Sequence, residues 1–152
     1  MYCNIEDYSP NLINDSELPI DRYILSKVNL ASNDVKQCLS NYDITSACNI
    51  ISEFIDTLNN WYIRRSRNRF WDKATNKNAK DAYDTLYTVL NILLNTVYKI
   101  AILNQPFLPT SSKNILDLLN IKNEISYNFI NKNLKVGLSL KQPKVIFPRI
   151  IR

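Results

Sequence analysis

A single glycine, Gly137, serves the whole chain of 152 residues. Tight hairpin turns, phosphate-cradling loops and dinucleotide-binding folds all use glycine where the backbone needs positive φ or a close approach. Long helices need little of it, so the glycine count points to an all-α fold. Apolar residues make up 45% of the chain, which supports a packed core and argues against disorder. The length suits one domain.

The spacing of apolar residues points the same way. Residues 1–18 are polar and irregular, with Pro10 and Pro19 as punctuation. A first helix begins near Pro19, with Ile20, Ile24, Val28, Ala31, Val35 and Leu39 as its apolar stripe. Ser40, Asn41 and Tyr42 connect it to a second helix capped by Asp43. That helix carries Ile44, Ala47, Cys48, Ile51, Phe54, Ile55, Leu58 and Tyr62 inward. A third helix over about 78–104 buries Ala79, Ala82, Tyr83, Leu86, Val89, Leu90, Leu93, Val97, Ile100 and Ala101. Pro106 and Pro109 break the pattern. Thr110 or Ser111 then caps a short fourth helix with Ile115, Leu116, Leu118 and Leu119 inward. From Ile121 the helical period is lost. The expected organisation is an irregular lead-in over 1–18, an antiparallel helix bundle over 19–120 and an extended tail over 121–152. The tail is either a hairpin about Gly137 or a strap across the bundle.

The chain contains no histidine. That removes the Ser-His-Asp and Cys-His arrangements, the usual zinc and haem sites and the commonest general base. Fourteen acids are spread along helix surfaces without an obvious catalytic pair. Cys3, Cys38 and Cys48 lack metal-ligand spacing and read as ordinary buried thiols of a cytoplasmic protein, although adjacent helices could bring Cys38 and Cys48 together. No apolar run reaches the roughly 18 residues a bilayer requires, and the N-terminus lacks a basic start followed by an apolar stretch. Neither a catalytic residue, a metal nor a membrane partner is therefore expected.

One stretch stands out. Residues 59–73, NNWYIRRSRNRFWDK, place Arg64, Arg65, Arg67 and Arg69 among Trp61, Tyr62, Phe70 and Trp71. From Trp61 to Lys80 there are seven basic residues and one acid, a net +6 in a chain whose total is +5. The positive charge is thus focused in one place. Arginine and aromatic side chains on one surface suit nucleic acid, because guanidinium pairs with phosphate and flat rings stack on bases. At about 100° per residue, Arg65 and Arg69 continue the apolar stripe over the rim of the bundle. Trp61, Arg64, Asn68 and Trp71 fall on a neighbouring flank. The plainer alternative is that the cations complement a helix C-terminus and the tryptophans are core.

The segments DRYILSK (21–27), NWYIRRSRNRFW (60–71) and AYDTLY (82–87) resemble the anticodon-binding domain of class I aminoacyl-tRNA synthetases, and over about 19–90 that of isoleucyl-tRNA synthetase. Residues 98–150 resemble the end of the methionyl-tRNA synthetase domain, through Gly137, Pro143 and FPRI at 147–150. VNLAS at 28–32 is also similar to a methionyl segment whose asparagine contacts the anticodon loop, a place Asn29 would take. The arginine that follows in that family is Asn33 here, a departure. The resemblance implies a helix bundle that binds the anticodon arm of a tRNA accepting isoleucine or methionine. Arg64, Arg65, Arg67, Arg69 and Lys73 would meet phosphates, Trp61 or Trp71 would stack, and Asn29 would read a base edge. ATP is the substrate of the family's catalytic domain, whose histidine- and methionine-containing motifs find no counterpart in a chain with no histidine and Met1 as its one methionine. Neither cofactor nor aminoacylation is expected of these residues alone, and a separate synthetase catalytic chain is an implied partner. The alternative reading is a non-catalytic helical protein-interaction module or a synthetase gene remnant.

Overall fold

A computed structural model describes residues 8–73, 75–121, 127–143 and 145–146. Helix α1 spans Pro19–Ser40 and α2 spans Ile44–Asp56. A π-helical segment, Thr57–Ile63, continues α2 towards the short helix α3, Arg67–Trp71. Helix α4 is Lys77–Leu103, α5 is Pro109–Leu118, and a 3₁₀ turn covers Tyr127–Phe129. No strand occurs among the described residues, so the all-α reading holds.

The helix ends show how a chain so poor in glycine turns corners. Asp43 caps α2 as its residue type predicts, with its carboxylate accepting from the Ser46 backbone N–H at 3.0 Å. Helices α1 and α5 both end through a residue in the left-handed region, Tyr42 (φ 60°) and Asn120 (φ 57°). Beyond each, a backbone N–H returns to the last turn: Asp43 to the Cys38 carbonyl and Ile121 to the Leu116 carbonyl. Glycine is the usual residue at such a closing position. The start of α5 differs from expectation. Neither Thr110 nor Ser111 caps it; Leu108 precedes the first turn and Pro109 opens it. Proline has its φ preset for a helix and no N–H to satisfy, so no hydroxyl is needed there.

The chain divides into two compact units, residues 1–92 and 93–152. In the first, α1 packs on α2, and Ile24, Val28, Val35, Ala47, Phe54, Leu58 and Tyr62 are buried together with Ala79, Ala82, Tyr83 and Val89 of α4. Several predicted core positions are instead exposed, among them Ile44, Cys48, Ile55 and Leu90. Cys48 is thus a surface thiol, Cys38 is half-buried, and both are free. Residues 8–18 lie along α4. The Tyr8 hydroxyl donates to Asp84 at 2.9 Å, and the Ile13 N–H donates to the Thr88 hydroxyl at 3.0 Å. Burial and then the Asp84 hydrogen bond push the Tyr8 phenol up to about 12.

The second unit has its own core of Tyr98, Ala101, Ile102, Leu116 and Leu119, with Phe129 and Leu134 of the tail packed against it. Predicted Val97 is exposed there. The tail is tied to this unit: the Leu134 N–H donates to the Asn95 side chain at 2.7 Å and the Lys141 N–H to the Leu118 carbonyl at 3.0 Å. Gly137 turns with φ 77°, but no strand pair forms about it among the described residues. Residues 147–150, the FPRI segment, lie outside the described residues. Helix α4 is long and apolar enough, by length and composition, to cross a membrane. The core helix of a soluble protein passes the same test, and Asn91, Asn95 and Thr96 interrupt the run, so no unbroken apolar stretch reaches the roughly 18 residues a bilayer requires.

Candidate nucleic-acid interface

The basic stretch does not follow the α-helical phasing expected of it. Phe54, Leu58, Tyr62, Ser66 and Phe70 are all buried, one at every fourth residue. In a continuous α-helix, steps of about 100° would rotate Phe70 some 160° away from Phe54. The wider π turn over Thr57–Ile63 and the turn at Ser66 absorb that rotation. As a result Ser66 and Phe70 continue the stripe where Arg65 and Arg69 were expected, and Arg64, Arg65, Arg67 and Asn68 are exposed.

Arg69 is the residue whose predicted role the structure corrects. It points inward and grips Asp21, with its two terminal guanidinium nitrogens each donating to one carboxylate oxygen at 2.7 Å. It also donates to the Asn78 carbonyl at the start of α4 at 3.1 and 3.2 Å. Asp21 is fully buried, and its carboxylate accepts further from the Tyr62 hydroxyl at 2.8 Å and the Ser16 hydroxyl at 3.3 Å. This one carboxylate therefore joins the lead-in, α1, the π segment and α3, and through Arg69 the start of α4. A buried charge is tolerated only when paired and hydrogen-bonded in this way. Burial alone would lower the Arg69 pKa, but the Asp21 hydrogen bonds and charge outweigh it and hold the group above its ordinary value. Burial, followed by the Asp21 charge, pushes the Tyr62 phenol far up, so it stays a neutral donor. Helix α3 is pinned from the other side, where the Tyr83 hydroxyl donates to the Phe70 carbonyl at 2.8 Å.

This node leaves a rigid edge with cations on its outer side. Trp71 is 61% exposed, and the Arg67 guanidinium lies over its ring at 4.2 Å. Arg65 lies over Trp61 at 5.3 Å, and Trp61 is half-buried against Tyr23 of α1. Arg64 and Lys73 are exposed. Among the described residues no carboxylate forms an ion pair with Arg64, Arg65, Arg67 or Lys73. Exposed cation–π contacts contribute about 0.5–1 kcal/mol, less than the about 1–3 kcal/mol of a base stacked on an aromatic ring. The arginines thus order the rings without blocking them. Asn29 is exposed on α1, but about 120° around the helix from Tyr23. No ring contact, hydrogen bond or ion pair among those described joins Asn29 to the basic stretch. Among the described residues no group of three or more His, Cys, Asp or Glu side chains is placed to hold a metal.

The class that this fold and surface define is an all-α module with a focused basic–aromatic edge. Comparison with known proteins gives the family. The family described as "Anticodon-binding domain of tRNA ligase" matches residues 21–142. The isoleucine–tRNA ligase of Wolbachia pipientis wMel is 36% identical over 115 residues, 76% of this chain and 10% of that protein. Those of Rickettsia prowazekii and Rickettsia bellii are 42% and 43% identical over 93 residues, 61% of this chain and 9% and 8% of theirs. The chain belongs to the anticodon-binding domain family of tRNA ligases. It spans about a tenth of the length of these curated relatives.

Proposed function

We propose that this chain binds the anticodon arm of a tRNA through the edge formed by the π segment and α3. The supporting observation is the set of exposed cations Arg64, Arg65, Arg67 and Lys73, without a carboxylate partner among the described residues, beside an exposed tryptophan with an arginine over its ring. The cations neutralise phosphates and set position, while Trp71 offers a face to an unpaired base. Arg69 does not join them, because Asp21 holds its guanidinium. Asn29 reads a base edge only if the RNA also wraps onto the far flank of α1.

The acceptor is proposed to be a tRNA for isoleucine, on the strength of the relatives' names. The methionyl likeness of residues 98–150 makes the methionine acceptor the competitor to test. Aminoacylation in this reading needs ATP and a catalytic domain beyond these residues. The work is done where tRNA is charged, in the cytoplasm. The test is electrophoretic mobility shift of the 152-residue chain with each tRNA across a salt series. Affinity falls steeply with salt, about 0.7–0.9 log units per log of salt for each phosphate neutralised. Trp71→Ala narrows the difference between the two tRNAs. No binding at low salt, or binding indifferent to salt, overturns the reading. Equal competition by an acidic polypeptide would favour the protein-interaction alternative.

A further inference from the structure

A pair of rings lies on the α1 side of the same unit, beside Arg65 but apart from Trp71. Tyr23 of α1 and Trp61 of the π segment have ring centroids 4.7 Å apart with planes tilted by 54°. Tyr23 is 43% exposed. A cation lies over each ring: Lys27 at 5.7 Å from the Tyr23 centroid and Arg65 at 5.3 Å from the Trp61 centroid. Lys27 is one helical turn beyond Tyr23, on the same face. Each ring of the pair therefore carries a cation of its own.

Two features separate this arrangement from ordinary helix packing. Both cations are exposed, and among the described residues neither has a carboxylate partner. They also lie farther from their rings than Arg67 does from Trp71, at 4.2 Å. Long, flexible side chains resting loosely on a ring are easily exchanged for a better partner.

We propose that Tyr23 and Trp61, flanked by Lys27 and Arg65, form a second stacking site for an unpaired nucleotide, separate from Trp71. This rests on the RNA-binding reading and extends it to α1. The base takes the exposed face of Tyr23. Lys27 and Arg65 leave their rings for the phosphates on either side, where charge-assisted hydrogen bonds replace the cation–π contacts. Among the described residues no amide or carboxylate side chain hydrogen-bonds to either ring, so the site accepts any base, as stacking platforms do.

The chain's two tryptophans supply the reporter. In a Trp71→Phe variant, Trp61 is the remaining indole. A seven-nucleotide single-stranded RNA is titrated against its fluorescence, beside an abasic phosphodiester oligomer of the same length. The RNA is expected to quench Trp61 saturably, and the abasic oligomer, which can draw Arg65 away but brings no base, to change it less. Tyr23→Ala should weaken RNA binding about 5- to 100-fold and Tyr23→Phe should restore it. If Tyr23→Ala fails to fold by circular dichroism, Lys27→Gln with Arg65→Gln is measured instead, and unchanged affinity there overturns the proposal. Equal quenching by the abasic oligomer overturns it as well. RNA that shifts the protein on a gel without quenching Trp61 sinks the second site alone. RNA that does not bind at all sinks the parent reading with it.

Discussion

Arg67 and Arg69 stand two residues apart in a run of four arginines and serve opposite ends. Arg67 is exposed and lies on Trp71. Arg69 is turned inward onto fully buried Asp21, 48 residues away in sequence. One holds the edge in place and the other equips it. The difference teaches that an arginine-rich motif is not a uniform patch: part of its charge is consumed in building the surface that displays the rest. The largest expected effect tests the inward half. Asp21→Ala leaves the Arg69 guanidinium buried without its partner and should cost about 3–5 kcal/mol. Arg67→Ala, an exposed change, should stay within about 0.5 kcal/mol. Urea denaturation of the two variants checks this, and similar losses would erase the distinction.

The outward half is tested by affinity. Arg64→Glu combined with Arg67→Glu should leave the denaturation midpoint in place. It should weaken binding to isoleucine and methionine tRNAs alike, at least about 10-fold, and lower the salt slope by about 1.4–1.8 as two phosphate contacts vanish. A fall in stability without a change in slope would mean that these arginines belong to the fold.

Much of the fold was legible because its causes are local. Pro19 opens α1, Asp43 caps α2, and apolar residues three and four apart place α1, α2 and α4. The phase of the arginines was not legible, because the π segment adds residues to its turn and nothing in TLNNWYI announces it. The Asp21–Arg69 pair joins distant parts of the chain, yet it left a trace. Asp21 shares the face of Ile24 and Val28, and an acid on an apolar stripe calls for a buried cation. Tyr23 and Lys27 were not legible as candidate site residues, because the net positive charge is concentrated in residues 61–80. Stacking across α1 and the π segment depends on packing that spacing alone does not show. Asn29 rests on likeness to a family segment rather than on spacing, and it lies about 120° around α1 from Tyr23.

The two halves should also differ in their response to pH. The Tyr62 phenol in the inward node is raised above its ordinary value by burial and by Asp21. Tyr8 is raised to about 12 by burial and Asp84. An unfolded tyrosine ionises near 10, so their contribution is complete below that pH. It is lost as pH rises from about 10 towards the folded values. Denaturant midpoints should therefore fall between pH 9 and about 11.5. Tyr62→Phe, which starts less stable for want of the hydroxyl, should show a shallower fall. An equally steep fall in that variant would remove Tyr62 from the account.

The smallest effect isolates burial from distance. Lys77 and Glu17 form an ion pair at 2.6 Å, as short as the 2.7 Å between Arg69 and Asp21. The side chains of the first pair are 70% and 80% exposed, and those of the second 12% and 0%. Water and salt screen the exposed pair, and ordering two long side chains opposes what attraction remains. Glu17→Gln should accordingly leave the denaturation midpoint unmoved at moderate salt, even though Glu17 holds the Lys77 pKa above its usual range. The carboxylate of Asp21 matters because removing it strands a charge away from water, whereas Lys77 without Glu17 is simply hydrated. If Glu17→Gln destabilised the chain as much as Asp21→Ala, geometry rather than burial would govern both pairs, and the contrast between Arg67 and Arg69 would need another cause.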